Sequence, residues 1–242
     1  MSSTSEKGHA KNVANFAKMI EFVSTYDKYK PYQKRIFIES LRAIYDKANA
    51  SIEEVSTLVV NFNNSTNDRA DLFDPLSVLT TRIINAFTSS DASERKIEDA
   101  KGFQRKIQGA SSPKAKKPKA PDAPVPNEIS SSQQSYDQKI MHFGSLIKTL
   151  KSEPSYKPNE EDLTVDALNG LLKEFKNTTT QLNKTLAAIK KVRLTRNKIL
   201  YTPKTGLYDI TMQVKTYVKG AYTATATEYK QLVKLAFTDE EL

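Results

Sequence analysis

The densest group of residues that could take part in binding or catalysis is basic and lies near the end of a predicted long helix. Five basic residues fall close together there: Lys190, Lys191, Arg193, Arg196 and Lys198. One interpretation is a site for an anion or for a partner's carboxylate. Because Arg193 and Arg196 continue the apolar 3–4 spacing of the helix, they should point toward neighbouring helices. The alternative is therefore structural, with packed stems and charges satisfied by a carboxylate such as Asp209.

Arg69 is the counterpart of Arg196, because the two residues are related by an internal sequence repeat with an offset of 127 positions. Both arginines lie where an apolar row of a long helix stops. A buried guanidinium without an acceptor would be costly. We therefore expect each arginine to contact a carboxylate or a C-terminal helix carbonyl, whereas a bound anion would make the pair functional.

A second basic cluster lies in a proline-rich segment and consists of Lys114, Lys116, Lys117 and Lys119. Lysines on a flexible tether can bind nucleic-acid phosphates, with release of counterions. The alternative is a charge that only keeps the tether soluble. Either way, five prolines within residues 109–129 predict a linker and not a helix.

Few residues have the types and spacings that catalysis requires. The chain has no cysteine and two histidines, His9 and His142; only His9 follows a glutamate by three positions, whereas a di-iron helical bundle needs two such pairs. No glycine-rich phosphate loop occurs. The paired carboxylates Glu53–Glu54 and Glu160–Asp162 fit solvated helix surface or the first turn of a helix. We therefore predict no enzymatic activity, no catalytic or metal-binding residue, no cofactor and no small-molecule substrate.

Two long helices should position the basic residues. Residues 32–67 contain no glycine or proline, and apolar side chains recur there at alternating spacings of 3 and 4, which is a heptad pattern. Positions 165–189 repeat it. The apolar row, here called the seam, predicts a helix of roughly 35 residues in each half, with Val59 and Leu186 buried. Pro31 and Pro158 should begin these helices.

The repeat extends beyond the long helices. Tyr29-Lys30-Pro31 recurs as Tyr156-Lys157-Pro158, and the offset of 127 holds without a gap from Val13 to Arg69. Later pairs match at offsets of 131 and 135, which indicates two short insertions in loops. A third helix should start at Leu76, and capping boxes at Asp91–Glu94 and Thr225–Glu228 should start a further helix in each half.

These patterns predict an all-α fold of two tandem, internally duplicated helical bundles. The first bundle should span residues 1–108 and the second 130–242, each built around one long heptad-patterned helix. The Pro/Lys-rich linker 109–129 should join them.

Several segments resemble helical proteins of Bacteroidota bacteria. They are residues 193–201 (RLTRNKILY), 205–209 (TGLYD) and 214–219 (VKTYVK), with similar segments at 75–86 and 131–137. The resemblance is to uncharacterised two-repeat proteins with no known activity. It implies a bacterial source and brings no ligand, partner or site with it.

The charge distribution separates two classes of function. The net charge is +9, and residues 173–219 carry 11 basic against 2 acidic groups. The polar N-terminus and the absence of a long apolar run predict a cytoplasmic protein with no membrane insertion. We expect a non-enzymatic structural or interaction protein that uses its long helical faces as a scaffold or assembly surface, with itself or another protein as partner. The alternative is a sequence-independent nucleic-acid-associated protein that uses the linker lysines and the basic surface of 173–219.

Overall fold

The computed structural model describes residues 4–109 and 134–239, and within these ranges the fold is all-α with no strand. Its helices are α1 (Thr4–Ser24), α2 (Ile38–Phe73), α3 (Leu76–Thr88), α4 (Glu94–Gln108), α5 (Tyr136–Lys151), α6 (Val165–Tyr201), α7 (Leu207–Tyr222) and α8 (Thr227–Val233). Short 3-10 turns, Lys34–Ile36 and Glu161–Leu163, precede the two long helices. In the described ranges, no helix combines the length and apolarity that a membrane crossing requires.

The helix boundaries follow the sequence repeat. The long helices α2 and α6 begin 127 residues apart, at Ile38 and Val165, and so do the 3-10 turns before them. Helices α3 and α7 begin at Leu76 and Leu207, which is the predicted later offset of 131. The repeated pattern of the sequence is therefore also a repeated order of secondary structure.

The chain divides into two compact units that are not the sequence halves 1–108 and 130–242. The first unit comprises Met1–Phe62 with Thr185–Leu242, and the second comprises Asn63–Lys184. The first unit thus contains the N-terminal part of α2 and the C-terminal part of α6. The second unit contains the C-terminal part of α2 and the N-terminal part of α6. A bundle made from one half alone does not describe these units.

Helix lengths explain this arrangement. Helix α2 has 36 residues and α6 has 37, which corresponds to about 54 Å each at 1.5 Å per residue. Helices α1 and α3, from the same half as α2, have only 21 and 13 residues. The short helices of one half therefore cover only part of the apolar row on their long helix, and helices of the other half cover the rest.

The core of the first unit lies between α1, the first turns of α2, the last turns of α6, and α7. Its fully buried large side chains include Phe16, Met19, Leu41, Leu200 and Leu207. In the second unit, α3, α4 and α5 pack with the end of α2 and the start of α6. Phe175 of α6 is fully buried there and stacks on Phe73 with ring centroids 4.0 Å apart.

The long helices do not begin at Pro31 and Pro158 as predicted, but seven residues later. In each repeat a buried tyrosine fixes the start: the Tyr29 hydroxyl donates to the Ile36 carbonyl at 2.7 Å, and the Tyr156 hydroxyl donates to the Leu163 carbonyl at 2.8 Å. These carbonyls belong to the last residues of the 3-10 turns just before α2 and α6. The tyrosine of the repeated Tyr-Lys-Pro segment is therefore a buried support for the turn.

The two predicted capping boxes are also absent, because the caps of α4 and α8 are Ser93 and Ala226. Neither residue makes a side-chain capping bond.

Burial along the seam confirms the heptad interpretation for every seventh residue. Leu41, Ala48 and Val55 are buried on α2, and Leu168, Phe175, Leu182 and Ile189 are buried on α6. The seam positions between these residues are less buried. Val59 is only half-buried, and the prediction for Leu186 was wrong, since it is 37% exposed. A straight α-helix drifts by about 20° per heptad, so one of the two rows moves toward the margin.

Replacing Phe175 by alanine should destabilise the second unit by about 3–5 kcal/mol, because it removes a fully buried ring and leaves a cavity. Leu186→Ala is the matched control on the same helix and should cost well under half as much, because much of Leu186 already contacts water. Thermal and urea unfolding measure both effects. Equal losses for the two variants would contradict the burial pattern.

The buried tyrosines predict a loss of stability at alkaline pH. Burial, followed by the charges of Glu160 and Asp162, raises the pKa of Tyr156 to about 12. In the unfolded chain tyrosine ionises near pH 10, so the stability contributed by Tyr156 is complete below pH 10 and is lost as pH rises toward 12. Tyr156→Phe should be less stable than the parent at pH 9, and the difference should shrink by pH 11.5. Tyr32→Phe, at an exposed site, should show no such convergence, and a constant difference for Tyr156→Phe would refute the assignment.

Candidate interaction surfaces

The basic residues predicted on α6 separate into two environments. Lys190, Lys191 and Lys198 are exposed, and Arg193 is half-buried. Arg196 is only 3% exposed and donates from Nε and Nη2 to the Asn197 side-chain oxygen, at 3.1 and 2.8 Å. Arg196 thus lies inward, as the seam predicts, while the lysines face solvent.

Arg69 lies in the second unit, where its guanidinium packs 4.0 Å from the centre of the Tyr136 ring. Its Nε is buried and has no hydrogen-bond acceptor among the described residues. The predicted carboxylate is absent from its contacts there, and the face of an aromatic ring holds the cation instead. Asp209, suggested as a partner for the arginines of α6, accepts the backbone N–H of Lys204. The linker lysines Lys114, Lys116, Lys117 and Lys119 lie outside the described residues.

A basic surface that the sequence analysis overlooked lies between α1 and α2. Residues 28–35 (KYKPYQKR), here called the basic loop, carry four cations and no carboxylate. All four cationic side chains, Lys28, Lys30, Lys34 and Arg35, are exposed. Tyr32 projects from the same loop and is 84% exposed. Tyr32 and Arg35 are of the residue types that are enriched at protein interfaces.

Tyrosines of α7 hold the basic loop in place. The Tyr217 hydroxyl accepts the Lys30 N–H at 3.1 Å, and the Tyr222 hydroxyl accepts the Lys28 N–H at 2.6 Å. The Tyr222 hydroxyl also donates to Asp27, which holds the pKa of that carboxyl below its usual value. Tyr29 packs edge-on against Tyr217 with centroids 5.4 Å apart. The exposed side chains therefore project from an ordered backbone.

A pocket of about 420 Å³ opens beside the basic loop. Tyr32 lines it from the loop and Ile36 from the 3-10 turn, while Met212, Tyr217 and Lys204 line it from the α7 side. Lys204 adopts a left-handed conformation with φ of 69°, which is unfavourable for a side chain with a Cβ. Three hydrogen bonds hold it: its N–H donates to Asp209, and its carbonyl accepts from Arg35 and Gln213. A strained residue secured in this way is typical of a functional rim.

The equivalent surface of the second unit has the opposite charge. Residues 155–162 (SYKPNEED), here called the acidic loop, match the basic loop at the offset of 127. Arg82 of α3 forms a two-bond ion pair with Asp162, with one bond at 3.1 Å. Glu160 and Glu161 are exposed and form no ion pair within the described ranges. A pocket of about 360 Å³ adjoins this loop, with apolar walls that include Val78, Leu79 and Leu171.

The sequence contains the signal for this contrast. Paired positions at the offset of 127 keep the tyrosine and proline but exchange Gln33-Lys34-Arg35 for Glu160-Glu161-Asp162. Considered alone, the acidic run fits a solvated helix start. Only the comparison of charge between the repeats reveals that one framework carries two opposite surfaces.

A buried polar cluster in the first unit holds the C-terminal segment, residues 235–239. The Asn12 side chain donates to the Thr238 carbonyl at 2.8 Å and accepts the Thr238 N–H at 2.9 Å. Asn15 and Lys215 donate to the carbonyls of Ala236 and Leu235. His9, placed by sequence in a polar N-terminus, is fully buried, with Nδ1 2.7 Å from the Tyr201 hydroxyl. The two asparagines and Lys215 thus hold the C-terminal segment, while His9 is bonded to α6 through Tyr201.

The described residues bring no group of three or more histidine, aspartate or glutamate side chains together as metal ligands. Comparison of the chain with protein-family models, with curated proteins and with solved structures gives no match. The surfaces must therefore be interpreted from their own chemistry.

Asn12→Ala should release the C-terminal segment, because the Thr238 N–H and carbonyl both lose their side-chain partner. We expect a loss of about 1–3 kcal/mol in stability and faster amide hydrogen exchange at Thr238. Asn61→Ala changes an exposed asparagine of α2 and should alter neither property. Unchanged exchange at Thr238 in Asn12→Ala would show that other contacts hold the segment.

Proposed function

We propose that this protein is a non-enzymatic interaction protein whose main docking surface is the basic loop with its adjoining pocket. The observation that carries the proposal is Tyr32, which is 84% exposed beside a pocket while its loop is fixed by hydrogen bonds to α7. A large aromatic side chain on an ordered loop can bind with little loss of conformational freedom. Tyrosine and arginine are also the residue types that dominate binding energy at protein interfaces.

The charges of the surface indicate the partner's chemistry. Lys30, Lys34 and Arg35 surround Tyr32 and form no ion pair with a carboxylate in the described part of the chain. Complementary charge accelerates association and rejects partners of like charge. The fitting partner is therefore an acidic protein surface with an apolar depression that accepts the Tyr32 ring.

The long helices add secondary contact area. Val60 of α2 and Leu194 of α6 are large apolar side chains of the first unit and are exposed by more than half. The expected scaffold role of the long helical faces rests on such side chains. We also propose that the two sequence halves are internally duplicated bundles, each built around one heptad-patterned helix.

Nucleic-acid association is the second candidate function. It is favoured by Lys190, Lys191 and Lys198, which are exposed on one stretch of α6 and form no ion pair with the other described residues. Together with the linker lysines they would bind phosphates without sequence preference and with strong dependence on salt.

Photo-cross-linking from position 32 tests the proposed function. The photoreactive analogue p-benzoylphenylalanine replaces Tyr32 in cells that express the protein, and the same analogue at Asn61, an exposed position of α2 outside both loops, is the control. We expect discrete protein adducts from position 32 that disappear when Lys34→Glu and Arg35→Glu are added, because the charged surface is lost. Nuclease-sensitive adducts alone would favour the nucleic-acid candidate, and no discrete adduct from position 32 would refute the docking surface.

A further inference from the structure

We propose that the partner of the basic loop is the acidic loop of a second copy of this chain, so that copies associate head to tail. This inference rests on the proposed docking function and names its occupant. It follows from three properties of the two loops: a common framework, opposite charge and a complementary pair of ring and pocket.

The common framework comes from the duplication. Both loops contain the Tyr-Lys-Pro segment, both are buttressed by a tyrosine hydroxyl on a carbonyl seven residues later, and both lead through a 3-10 turn into a long helix. The two surfaces therefore share their backbone spacing. Because of this equivalence, side chains at matched positions present their charges at similar intervals.

The charges that remain available are complementary. On the acidic loop Asp162 is already paired with Arg82, which leaves Glu160 and Glu161 without an ion pair among the described residues. On the basic loop, Lys30, Lys34 and Arg35 likewise form no ion pair with a carboxylate among the described residues. Two basic loops repel each other, and so do two acidic loops. Favourable pairing therefore joins unlike loops of two copies, which is a heterologous contact.

The apolar parts of the two surfaces also match. Tyr32 has no equivalent on the acidic loop, where Asn159 takes its position. The acidic surface instead has the pocket walled by Val78, Leu79 and Leu171, with Asp162 and Arg82 at its edge. We assign this pocket as the seat of the Tyr32 ring. The ring supplies a buried anchor, and the surrounding charges fix its orientation.

Every copy carries one loop of each kind, so one contact leaves two complementary loops unused. Association then continues until the copies close a ring or extend as a chain, depending on the rotation at the contact. Exposed ion pairs are screened by salt. The assembly should therefore grow with concentration and dissociate as ionic strength rises.

Charge exchange between the loops tests this inference by sedimentation velocity and light scattering at about 50 mM salt, below physiological ionic strength. Variant A carries Glu160→Lys and Glu161→Lys, and variant B carries Lys34→Glu and Arg35→Glu. Each alone should weaken self-association at least about tenfold, because variant A gives both loops a positive charge and variant B leaves the basic loop without net charge. Mixing A with B should restore pairwise association, because A keeps the parent's basic loop and B keeps the parent's acidic loop.

Tyr32→Ala should weaken association without changing its salt dependence. Glu53→Lys with Glu54→Lys is the control for charge change alone, because both residues are exposed on α2. Far-UV circular dichroism verifies the helical fold of every variant. If a reversal variant loses helix, the neutral changes Glu160→Gln with Glu161→Gln, and Lys34→Gln with Arg35→Gln, replace it and should weaken association in the same way.

A parent protein that stays monomeric at low salt would overturn the inference, as would failure of the exchanged pair to recover association. Neither result decides whether the basic loop is a docking surface, because cross-linking from position 32 tests that separately. Position 32 would then cross-link to a different protein if the surface docks another partner, and to no protein at all if the docking function is also wrong.

Discussion

The structure depends on covering two apolar rows that are each longer than any neighbouring helix. Helices α2 and α6 run for 36 and 37 residues, while the other helices have at most 21. Apolar surface left in water would forfeit the largest favourable contribution to folding. The chain meets this constraint by giving opposite ends of each long helix to different compact units, and the placement of all other helices follows from that division.

Some of these features can be predicted from sequence because they depend on local spacing. The heptad pattern identifies both long helices, and the exact offsets locate the starts of α3 and α7. The starts of α2 and α6 were misplaced because Pro31 favours a helix start locally, whereas the tertiary hydrogen bond of Tyr29 fixes the chain seven residues later. The exposure of Leu186 and the burial of His9 escape local sequence analysis for the same reason. Each depends on which distant segments cover the side chain, and the Tyr201 partner of His9 lies 192 residues away.

The candidate surfaces show how a duplicated framework permits divergence at low structural cost. Tyr29 and Tyr156 make the same hydrogen bond, so the loop backbone does not depend on the exposed residues that follow. Exposed substitutions change stability little when they leave packing and buried hydrogen bonds intact. Gln33-Lys34-Arg35 and Glu160-Glu161-Asp162 could therefore diverge in charge while their supports stayed the same. The basic residues singled out first, Arg69 and Arg196, instead occupy packed environments in which a substitution affects the fold.

The division into units also sets an order for folding during synthesis. The second unit is a continuous stretch of chain, 63–184, so its helices can meet without any residue of 185–242. The first unit joins 1–62 to 185–242, and its Asn12 waits for Thr238, 226 residues later. Helix α1 and the start of α2 must therefore remain without their partners while most of the protein is made. During that interval their apolar faces are open to chaperones or to mispairing with a neighbouring nascent chain.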